Sequence, residues 1–501
     1  FIESCMGSPF NKRVSHGYPS DRHSTRGCTE GFFKNVKIII WKFKFPNPYA
    51  HIPWPLGSIM DEEVKDESLH QETLLSNNKI QEEDRDIHDW FRFVLSYPPH
   101  LVKHYLDEFG AEPGMTLLDP FCGTGTTLVE GKKQGLNVLG LEANDYCQFA
   151  SKTKLEWNID TNSVQLAANE ILENAILVLS EIGIKAPSKG DWDEKTPAGL
   201  LEFNEGEKKL TIKNGISPFP LHKILILRNL INKSDFAHSI KNILLLGLST
   251  TALKSSNIRF GPEVGVSKKR KLDAPVFNIW IEKILQMSND VENVENNPNL
   301  KSRILSGDCR EIGNLLKGEE VDFVITSPPY PNEKDYTRTV RLESVLLGFI
   351  TSREDLRRIK TGLLCSNTRA VYKVDNDDEW IKDHEEINRI ADEIEARRIE
   401  LGKTSGFEKL YARVTRLYFG GMKRHLSSLK SILKPGAKLA YVVGDQQSYF
   451  RIMIRTGELL GDIAEELGYT VHRIDLFRSR WSTVTREWLR EEVLVMEYNP
   501  N

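Results

Sequence analysis

The segment "MTLLDPFCGTGTTLVEGKKQGLNVLGLEAND" (Met115–Asp145) combines two short apolar runs, a glycine-rich loop and an amphipathic stretch. The pattern predicts a strand at Thr116–Leu118, a helix at Thr127–Gln134 and a second strand at Asn137–Leu141. A strand–helix–strand unit of this length is typical of a parallel sheet covered by helices. We therefore predict an α/β fold with a doubly wound sheet.

Three later segments extend this sheet. "SRILSGDCREIGNLL" (Ser302–Leu316) and "VDFVITSPPY" (Val321–Tyr330) predict two more strands with a helix between them. "MKRHLSSLKSILKPGAKLAYVVGD" (Met422–Asp445) predicts a helix, a turn at Pro435-Gly436 and a strand. The tail Tyr469–Tyr498 predicts an antiparallel closing pair of strands.

Composition sets limits on the class of protein. The 501 residues are 28% charged and 40% hydrophobic, which is ordinary for a globular protein. The net charge of −4 gives no global sign of a nucleic-acid surface, so any such surface must be local. The six cysteines form no C-x-x-C pair, which predicts no metal site and a reducing, cytoplasmic location. No apolar run predicts a membrane span or a signal peptide.

The loop "DPFCGTGTT" (Asp119–Thr127) fits neither of two common phosphate-binding patterns. The loop does not match a Walker motif. Gly125 and Gly131 are one residue too far apart, and Lys133 follows Lys132 where the motif has serine or threonine. The loop does not match a dinucleotide-binding fingerprint, because Leu128 stands at the position of the third glycine of that motif.

Acidic residues follow three of the predicted strands: Asp119, Glu142 and Asp308. Glu142 is placed to accept hydrogen bonds from ribose hydroxyls, and Asp308 could accept one from an exocyclic adenine amine. Each acid alone is more commonly a helix N-cap. Together they favour an adenosyl ligand without phosphates.

"DPFCGTGTT" and "TSPPY" (Thr326–Tyr330) together resemble the S-adenosylmethionine-dependent amino-methyltransferases of DNA found in bacterial restriction–modification systems. The resemblance covers about half of the chain. It implies a Rossmann-like class I methyltransferase sheet with helical insertions, S-adenosylmethionine as cofactor and double-stranded DNA as substrate. It also allows a cognate restriction endonuclease that acts separately.

The resemblance implies two sets of site residues. The catalytic set is Ser327, Pro328, Pro329 and Tyr330. The cofactor-binding set is Asp119, Pro120, Phe121, Cys122, Gly123, Gly125, Thr126, Thr127, Glu142, Asp308, Cys309 and Thr326, with Trp90–Pro99 expected to line the same pocket.

The chemistry explains the residue types in the tetrapeptide. An exocyclic amine is a poor nucleophile because its lone pair is delocalised into the base. Hydrogen bonds to the Ser327 hydroxyl and the Pro328 carbonyl would favour a tetrahedral nitrogen for direct attack on the methyl group. Tyr330 would stack on the extruded base. Cytosine-C5 methylation is excluded because that family uses a Pro-Cys dipeptide, and none occurs here.

The target amine is predicted to be cytosine N4, because Ser-Pro-Pro-Tyr goes mostly with N4 in this family and Asp-Pro-Pro-Tyr mostly with adenine N6. Adenine N6 and guanine N2 of RNA stay open as alternatives. A non-catalytic adenosylmethionine-binding DNA regulator is a third, against which the intact tetrapeptide argues.

Two basic segments are candidates for DNA binding, "SKKRKLD" (Ser267–Asp273) and "CSNTRAVYK" (Cys365–Lys373). Either could equally be a solvated surface loop. The candidate residues are Lys268, Lys269, Arg270, Lys271, Arg369 and Lys373.

These assignments divide the chain into six parts. Residues 1–87 are an N-terminal extension that is partly disordered or non-native, and residues 1–59 are given no role. The others are the cofactor-binding part (88–145), a helical insertion (146–300), the catalytic part (301–345), a second helical insertion (346–415) and the C-terminal part of the sheet (416–499). Either insertion is a candidate for target recognition.

Overall fold

The computed structural model describes residues 80–181, 199–261, 264–332, 334–482 and 485–500. The chain divides into two units, Phe1–Leu69 and His70–Asn501, and every described residue lies in the second. Most of the expected N-terminal extension, residues 1–79, therefore lies outside the described residues. Within the described part, no helix is both long enough and apolar enough to span a membrane.

A seven-stranded sheet with the order β5-β2-β1-β6-β7-β9-β8 forms the centre of the described unit. The strands are β1 (Thr116–Asp119), β2 (Asn137–Glu142), β3 (Ile258–Arg259), β4 (Gly265–Val266), β5 (Ser302–Ser306), β6 (Val321–Thr326), β7 (Leu433–Gly444), β8 (Tyr469–Ser482) and β9 (Glu487–Tyr498). Strands β5, β2, β1, β6 and β7 are parallel, and β9 is antiparallel to both β7 and β8. The predicted doubly wound α/β fold with an antiparallel closing pair is confirmed.

Helices cover both faces of the sheet and build the two insertions. They are α1 (Pro99–Phe109), α2 (Thr126–Lys133), α3 (Asp145–Lys154), α4 (Thr161–Glu181), α5 (Glu205–Leu210), α6 (Pro218–Lys233), α7 (His238–Ser255), α8 (Val276–Asn293), α9 (Ile312–Leu315), α10 (Tyr336–Thr339), α11 (Arg341–Leu346), α12 (Arg353–Gly362), α13 (Glu385–Glu400), α14 (Tyr411–Leu429) and α15 (Thr456–Glu466). Helices α4, α6, α7 and α8 pack against one another, and their apolar core is continuous with the core formed by α2 and β2.

Close packing of α2 on the sheet follows from the sequence at Gly131. A Cβ atom built on Gly131 would lie 2.5 Å from Leu117 Cδ2 and 3.0 Å from Val138 Cγ1. Only a glycine therefore lets the helix approach β1 and β2 this closely. The approach places the start of α2 directly above the carboxyl end of β1.

The turn predicted at Pro435-Gly436 is wrong, because strand β7 runs through these residues from Leu433 to Gly444. Gly436 has a φ of 79°, and the register between β6 and β7 shifts between Val321 and Phe323. The Pro-Gly pair therefore produces an irregularity within a strand, since glycine tolerates the left-handed region and proline lacks a ladder donor.

The strand order reverses direction next to β1. Along the chain, β1 is followed by β2 on one side, whereas β6 lies on its other side, with Leu117 opposite Phe323 and Leu118 opposite Val324. A crevice at the carboxyl ends of the strands forms at such a switch point, and ligands of α/β sheets bind there.

Candidate active site

A cavity of about 680 Å³ opens at the carboxyl ends of β1, β2 and β6. This volume falls within the range of small-molecule sites in proteins. We call the strand-end part of this cavity the floor; it includes Asp119, Phe121, Glu142 and Ser327. The walls come from distant segments, namely Phe91–Pro99, Ser366–Ala370 in part, and Phe477–Arg478.

Asp119 ends β1 and is 2% exposed. Its Oδ1 accepts hydrogen bonds from Thr326 Oγ1 at 2.6 Å and from the Phe121 backbone N–H at 3.0 Å. Burial raises the pKa of this carboxyl to about 6, although these hydrogen bonds oppose the rise. The carboxylate therefore fastens the start of the glycine loop to the end of β6.

Glu142 performs the same task at the end of β2. Its two oxygens accept hydrogen bonds from the backbone N–H groups of Gly123, at 2.8 Å, and Asn144, at 2.7 Å. Burial raises the pKa of Glu142 to about 7. Because each carboxylate oxygen has a second lone pair, Glu142 can still accept hydrogen bonds from a ligand in the cavity.

The glycine loop depends on two left-handed residues, Gly123 with a φ of 49° and Gly125 with a φ of 86°. A Cβ atom on Gly125 would also lie 2.5 Å from Ser151 Oγ in α3. Among the predicted cofactor residues, Pro120, Cys122, Gly123, Thr126 and Cys309 line the cavity with Asp119, Phe121 and Glu142.

Gly125, Thr127 and Thr326 lie behind the lining. Thr127 Oγ1 donates to the Ile325 carbonyl at 3.1 Å and contacts the Tyr97 hydroxyl, which faces the cavity. Trp90 is also behind the wall, where its indole Nε1 donates to Asp290 at 2.8 Å. The structure therefore places these residues as supports of the cavity.

Asp308 lies where its carboxylate contacts another side chain. It accepts hydrogen bonds from Arg310 Nε at 2.9 and 3.0 Å and from the Arg310 backbone N–H at 2.9 Å. Arg310 is itself bound to Asp377. Gly307 and Cys309 line the cavity, whereas Asp308 is absent from the described lining. A hydrogen bond between Asp308 and an adenine amine stays a prediction, and it requires Arg310 to release one oxygen of the Asp308 carboxylate.

The tetrapeptide Ser327-Pro328-Pro329-Tyr330 follows β6 directly, and all four residues line the cavity. The Tyr330 backbone N–H donates to the Tyr336 hydroxyl at 3.1 Å. Burial, and the nearby charge of Glu491, raise the pKa of Tyr330, so its phenol is neutral. The elbow thus presents a neutral hydroxyl, rigid backbone carbonyls and an aromatic ring.

The predicted DNA-binding residues lie outside the cavity lining. Lys268, Lys269, Arg270 and Lys271 are exposed in the loop after β4, and Lys271 Nζ donates to the Lys254 carbonyl at 2.5 Å. The β3–β4 connection contributes Phe260 to the cavity wall. Arg369 and Lys373 are also exposed, close in sequence to the lining residues Asn367 and Ala370.

Several lining residues were missed in the sequence: Asn332, Lys334, Tyr336, Ser366, Asn367, Phe477 and Arg478. The first three follow the tetrapeptide in "PNEKDY", so their proximity to it was a usable signal. Asn332 is buried, and its backbone N–H donates to the Ser366 carbonyl at 2.9 Å, which joins the tetrapeptide to the second insertion. Phe477 and Arg478 come from β8 and carry no local signal.

Comparison with known families gives a match at residues 32–152 to the N6/N4 methyltransferase family described as "DNA methylase". The chain is 24% identical over 448 residues to "Type II methyltransferase M.BsoBI" of Geobacillus stearothermophilus, covering 82% of this chain and 84% of that protein. It is 24% identical over 413 residues to "Type II methyltransferase M.AvaI" of Nostoc sp., covering 77% and 79% respectively.

Solved structures matched to this chain include TrmN from Thermus thermophilus, at 11% identity and a TM-score of 0.27, covering 83% of this chain and 52% of that one. Another is the rRNA methyltransferase aviRa from Streptomyces viridochromogenes, at 9% identity and a TM-score of 0.28, covering 81% and 87%. Scores this low add nothing to the fold described above. The family match and the sequence relatives, by contrast, confirm the resemblance seen in the motifs.

Proposed function

We propose, from the premise that this chain is a DNA amino-methyltransferase of restriction–modification type, that it methylates the exocyclic N4 of cytosine in duplex DNA. The observation that carries the proposal is the Ser327-Pro328-Pro329-Tyr330 elbow beside the glycine loop on one cavity floor. S-adenosylmethionine is the proposed methyl donor.

The residues of the floor fit this cofactor. Glu142 offers carboxylate oxygens to ribose hydroxyls, and the loop from Phe121 to Gly125 offers space for the methionine part. When bound, S-adenosylmethionine supplies a methyl group on a positively charged sulfur. The cavity volume of about 680 Å³ is sufficient for a ligand of this size and an extruded base edge.

Ser327 and Pro328 would hold the target amine. The Ser327 hydroxyl accepts one amine hydrogen and the Pro328 carbonyl accepts the other, which favours a tetrahedral nitrogen with a localised lone pair. Two consecutive prolines restrict the backbone at this point, so the carbonyl keeps its direction. As the new N–C bond forms and the methyl–sulfur bond breaks, one of the two held protons would leave the nitrogen through the Ser327 hydroxyl, which can accept a proton while passing its own to water.

Tyr330 would stack on the extruded base. Its ring is backed by the main chain at Gly444, where an added Cβ atom would lie only 3.2 Å from Tyr330 Cε2. A ring fixed in this way provides a flat surface without a further loss of side-chain entropy on binding. The proposal therefore gives Tyr330 a role in holding the base and Ser327 a role in activating it.

The proposal also covers the substrate, a separate partner enzyme and the location in the cell. Double-stranded DNA is the substrate, and a cognate restriction endonuclease acts separately, an arrangement supported by the similarity to Type II methyltransferases. The cytoplasm is the proposed location, supported by four buried cysteines with free thiols, Cys122, Cys147, Cys309 and Cys365.

The variant Ser327→Ala tests the mechanism. Methyl transfer should slow by a factor on the order of a hundred or more, as for the removal of one preorganised polar group. Cofactor affinity, measured by calorimetry, should stay the same because other strand ends form that part of the cavity. Ser302→Ala, at an exposed position where β5 begins, is the matched control. Full activity of Ser327→Ala would reject the mechanism.

A further inference from the structure

Two cations at the cavity mouth form no ion pair with an acidic side chain among the described residues. Lys334 lines the cavity four residues after the tetrapeptide, and Arg480 lies in the exposed part of β8. Partial desolvation lowers the pKa of the Lys334 ammonium group; the positive charges of Arg480 and Arg478 act in the same direction, and the carboxylate of Glu491 opposes them. Glu491 is itself paired with Arg478, so among the described residues no acidic ion-pair partner belongs to Lys334 or Arg480. We call them the mouth cations.

Two other cations that line the cavity are neutralised by acidic side chains. Lys360 Nζ lies 2.7 Å from Asp335 Oδ2, and Arg478 Nε lies 2.5 Å from Glu491 Oε2. Two like charges held together without an ion-pair partner of their own destabilise a folded protein. That cost is offset when a polyanion binds, because its phosphates supply the missing negative charge.

The position of Arg480 is stabilised by an extension of the sheet. Strand β7 ends opposite Glu491, but β8 and β9 continue beyond it and pair as far as Ser482 and Glu487. Trp481 and Trp488 lie directly opposite each other on this extension, with ring centroids 5.2 Å apart. A cross-strand aromatic pair stabilises a two-stranded extension of this kind.

The two-stranded extension has two distinct faces, because successive side chains of a strand point to opposite sides of the sheet. Arg478 and Arg480 are two residues apart and therefore point to the same face, whereas Trp481 points to the opposite one. Because Arg478 lines the cavity, the face that carries Arg480 is turned toward the mouth. A strand of DNA whose base enters the cavity would thus pass this face with its backbone.

We infer that the mouth cations Lys334 and Arg480 bind backbone phosphates of duplex DNA beside the nucleotide whose base enters the cavity. The inference rests on the proposed function for the identity of the polyanion. Such contacts position the DNA strand and carry no base specificity of their own. Neither residue was among the DNA-binding candidates found in the sequence.

The double variant Lys334→Ala/Arg480→Ala tests this inference. Affinity for a fluorescently labelled duplex is measured by anisotropy at several salt concentrations. The slope of log affinity against log salt should fall in magnitude by about 0.9 for each phosphate that is no longer neutralised, so by up to roughly 1.8. Lys334→Gln/Arg480→Gln, which keeps side-chain bulk, should give the same result if charge is the cause.

The control is Arg303→Ala/Arg473→Ala, which also removes two exposed cations, one on β5 and one on β8 near Glu108. Its salt dependence should match that of the unmodified protein. An unchanged slope in both mouth variants, an equal fall in the control, or no binding of duplex by the unmodified protein would overturn the inference.

Methyl transfer by the unmodified protein is measured in parallel and separates the two proposals. Transfer to DNA together with an unchanged slope in the mouth variants would leave the proposed function standing and reject the mouth cations. A reduced slope without any methyl transfer to DNA would support a phosphate-binding mouth and reject the proposed function.

Discussion

The floor and the mouth of the cavity hold their charged groups in opposite ways. On the floor, Asp119 and Glu142 are tied to backbone N–H groups of the glycine loop and its neighbours at 2.7–3.0 Å. At the mouth, Lys334 and Arg480 are exposed, and no acidic side chain of the described residues forms an ion pair with them. The floor is organised before any ligand arrives, whereas the mouth cations have no ion-pair partner of their own in the part of the chain that the structure describes.

This difference predicts two kinds of sensitivity. Changes to the two floor carboxyls, Asp119 and Glu142, should alter binding steeply and depend on pH, because they are buried and their pKa is raised. Changes at the mouth should alter binding gradually and depend on salt, because its groups are exposed cations. The largest effects are therefore expected on the floor, and the smallest at cations outside the cavity.

Gly125→Asp should abolish cofactor binding, with a loss of a hundredfold or more, on the order of 3 kcal/mol. The side chain would combine an unfavourable φ of 86° with a Cβ atom 2.5 Å from Ser151 Oγ. Gly114→Asp is the matched control, since Gly114 has a φ of 90° but no atom within 4 Å of the added Cβ. Calorimetry that shows equal affinities for both variants would contradict a floor held by this loop.

Cofactor affinity should fall roughly tenfold between pH 8 and pH 6, because the pKa of Glu142 is raised to about 7 by burial. Ribose hydroxyls donate to the ionised carboxylate, and protonation removes that acceptor. Glu142→Gln should bind more weakly and show a flatter profile. A pH profile of Glu142→Gln that keeps the full slope would assign the titration to another group.

Folding stability should show the matching pH dependence. A carboxyl with a raised folded pKa contributes stability that is present below its ordinary value of 4.5 and is lost as the pH rises through about 7. Thermal unfolding of Glu142→Gln should therefore vary less between pH 5 and pH 8 than that of the unmodified protein.

Gly444→Ala should lower the methyl-transfer rate roughly threefold to tenfold, because the new methyl group would displace the Tyr330 ring by a few tenths of an ångström. The added Cβ would lie 3.2 Å from Tyr330 Cε2. Gly461→Ala in α15, whose added Cβ contacts Leu494 at an ordinary 3.7 Å, is the control. Equal rates for the two variants would show that the exact position of Tyr330 is unimportant.

The smallest effect is expected for Lys268→Ala/Lys269→Ala/Arg270→Ala, which removes exposed cations outside the cavity lining. Duplex affinity should weaken equally for all sequences, and its salt slope should fall by about 0.9 for each phosphate that these cations neutralise. A slope equal to that of the unmodified protein would exclude this loop from the DNA surface.

The floor could be predicted from the sequence because each of its parts is local. Strand β1, the glycine loop and α2 follow one another within Thr116–Lys133, and the tetrapeptide follows β6 directly. Carboxyl ends of parallel strands meet at one edge, so placing Asp119, Glu142 and Ser327 together required only the order of elements.

The part of the wall that comes from the two insertions and β8 could not be predicted, because its residues come from segments that only the folded chain brings together. Phe260, Asn367 and Arg478 lie more than a hundred residues apart in sequence, and no periodicity links them. For Asp308, the sequence predicted a ligand contact that the structure does not show directly. Its place after a strand suggested a ligand contact, but the pattern gave no sign that Arg310, two residues later, would turn back onto it.

The most direct test of the central claim is to identify the product. Duplex DNA is incubated with the protein and S-adenosylmethionine labelled on its methyl group, in parallel with transfer RNA, and the labelled nucleosides are separated by chromatography. We expect the labelled methyl group in DNA, as N4-methylcytosine, and none in RNA. N6-methyladenine would contradict the choice of base, and label confined to RNA would contradict the assignment of the substrate.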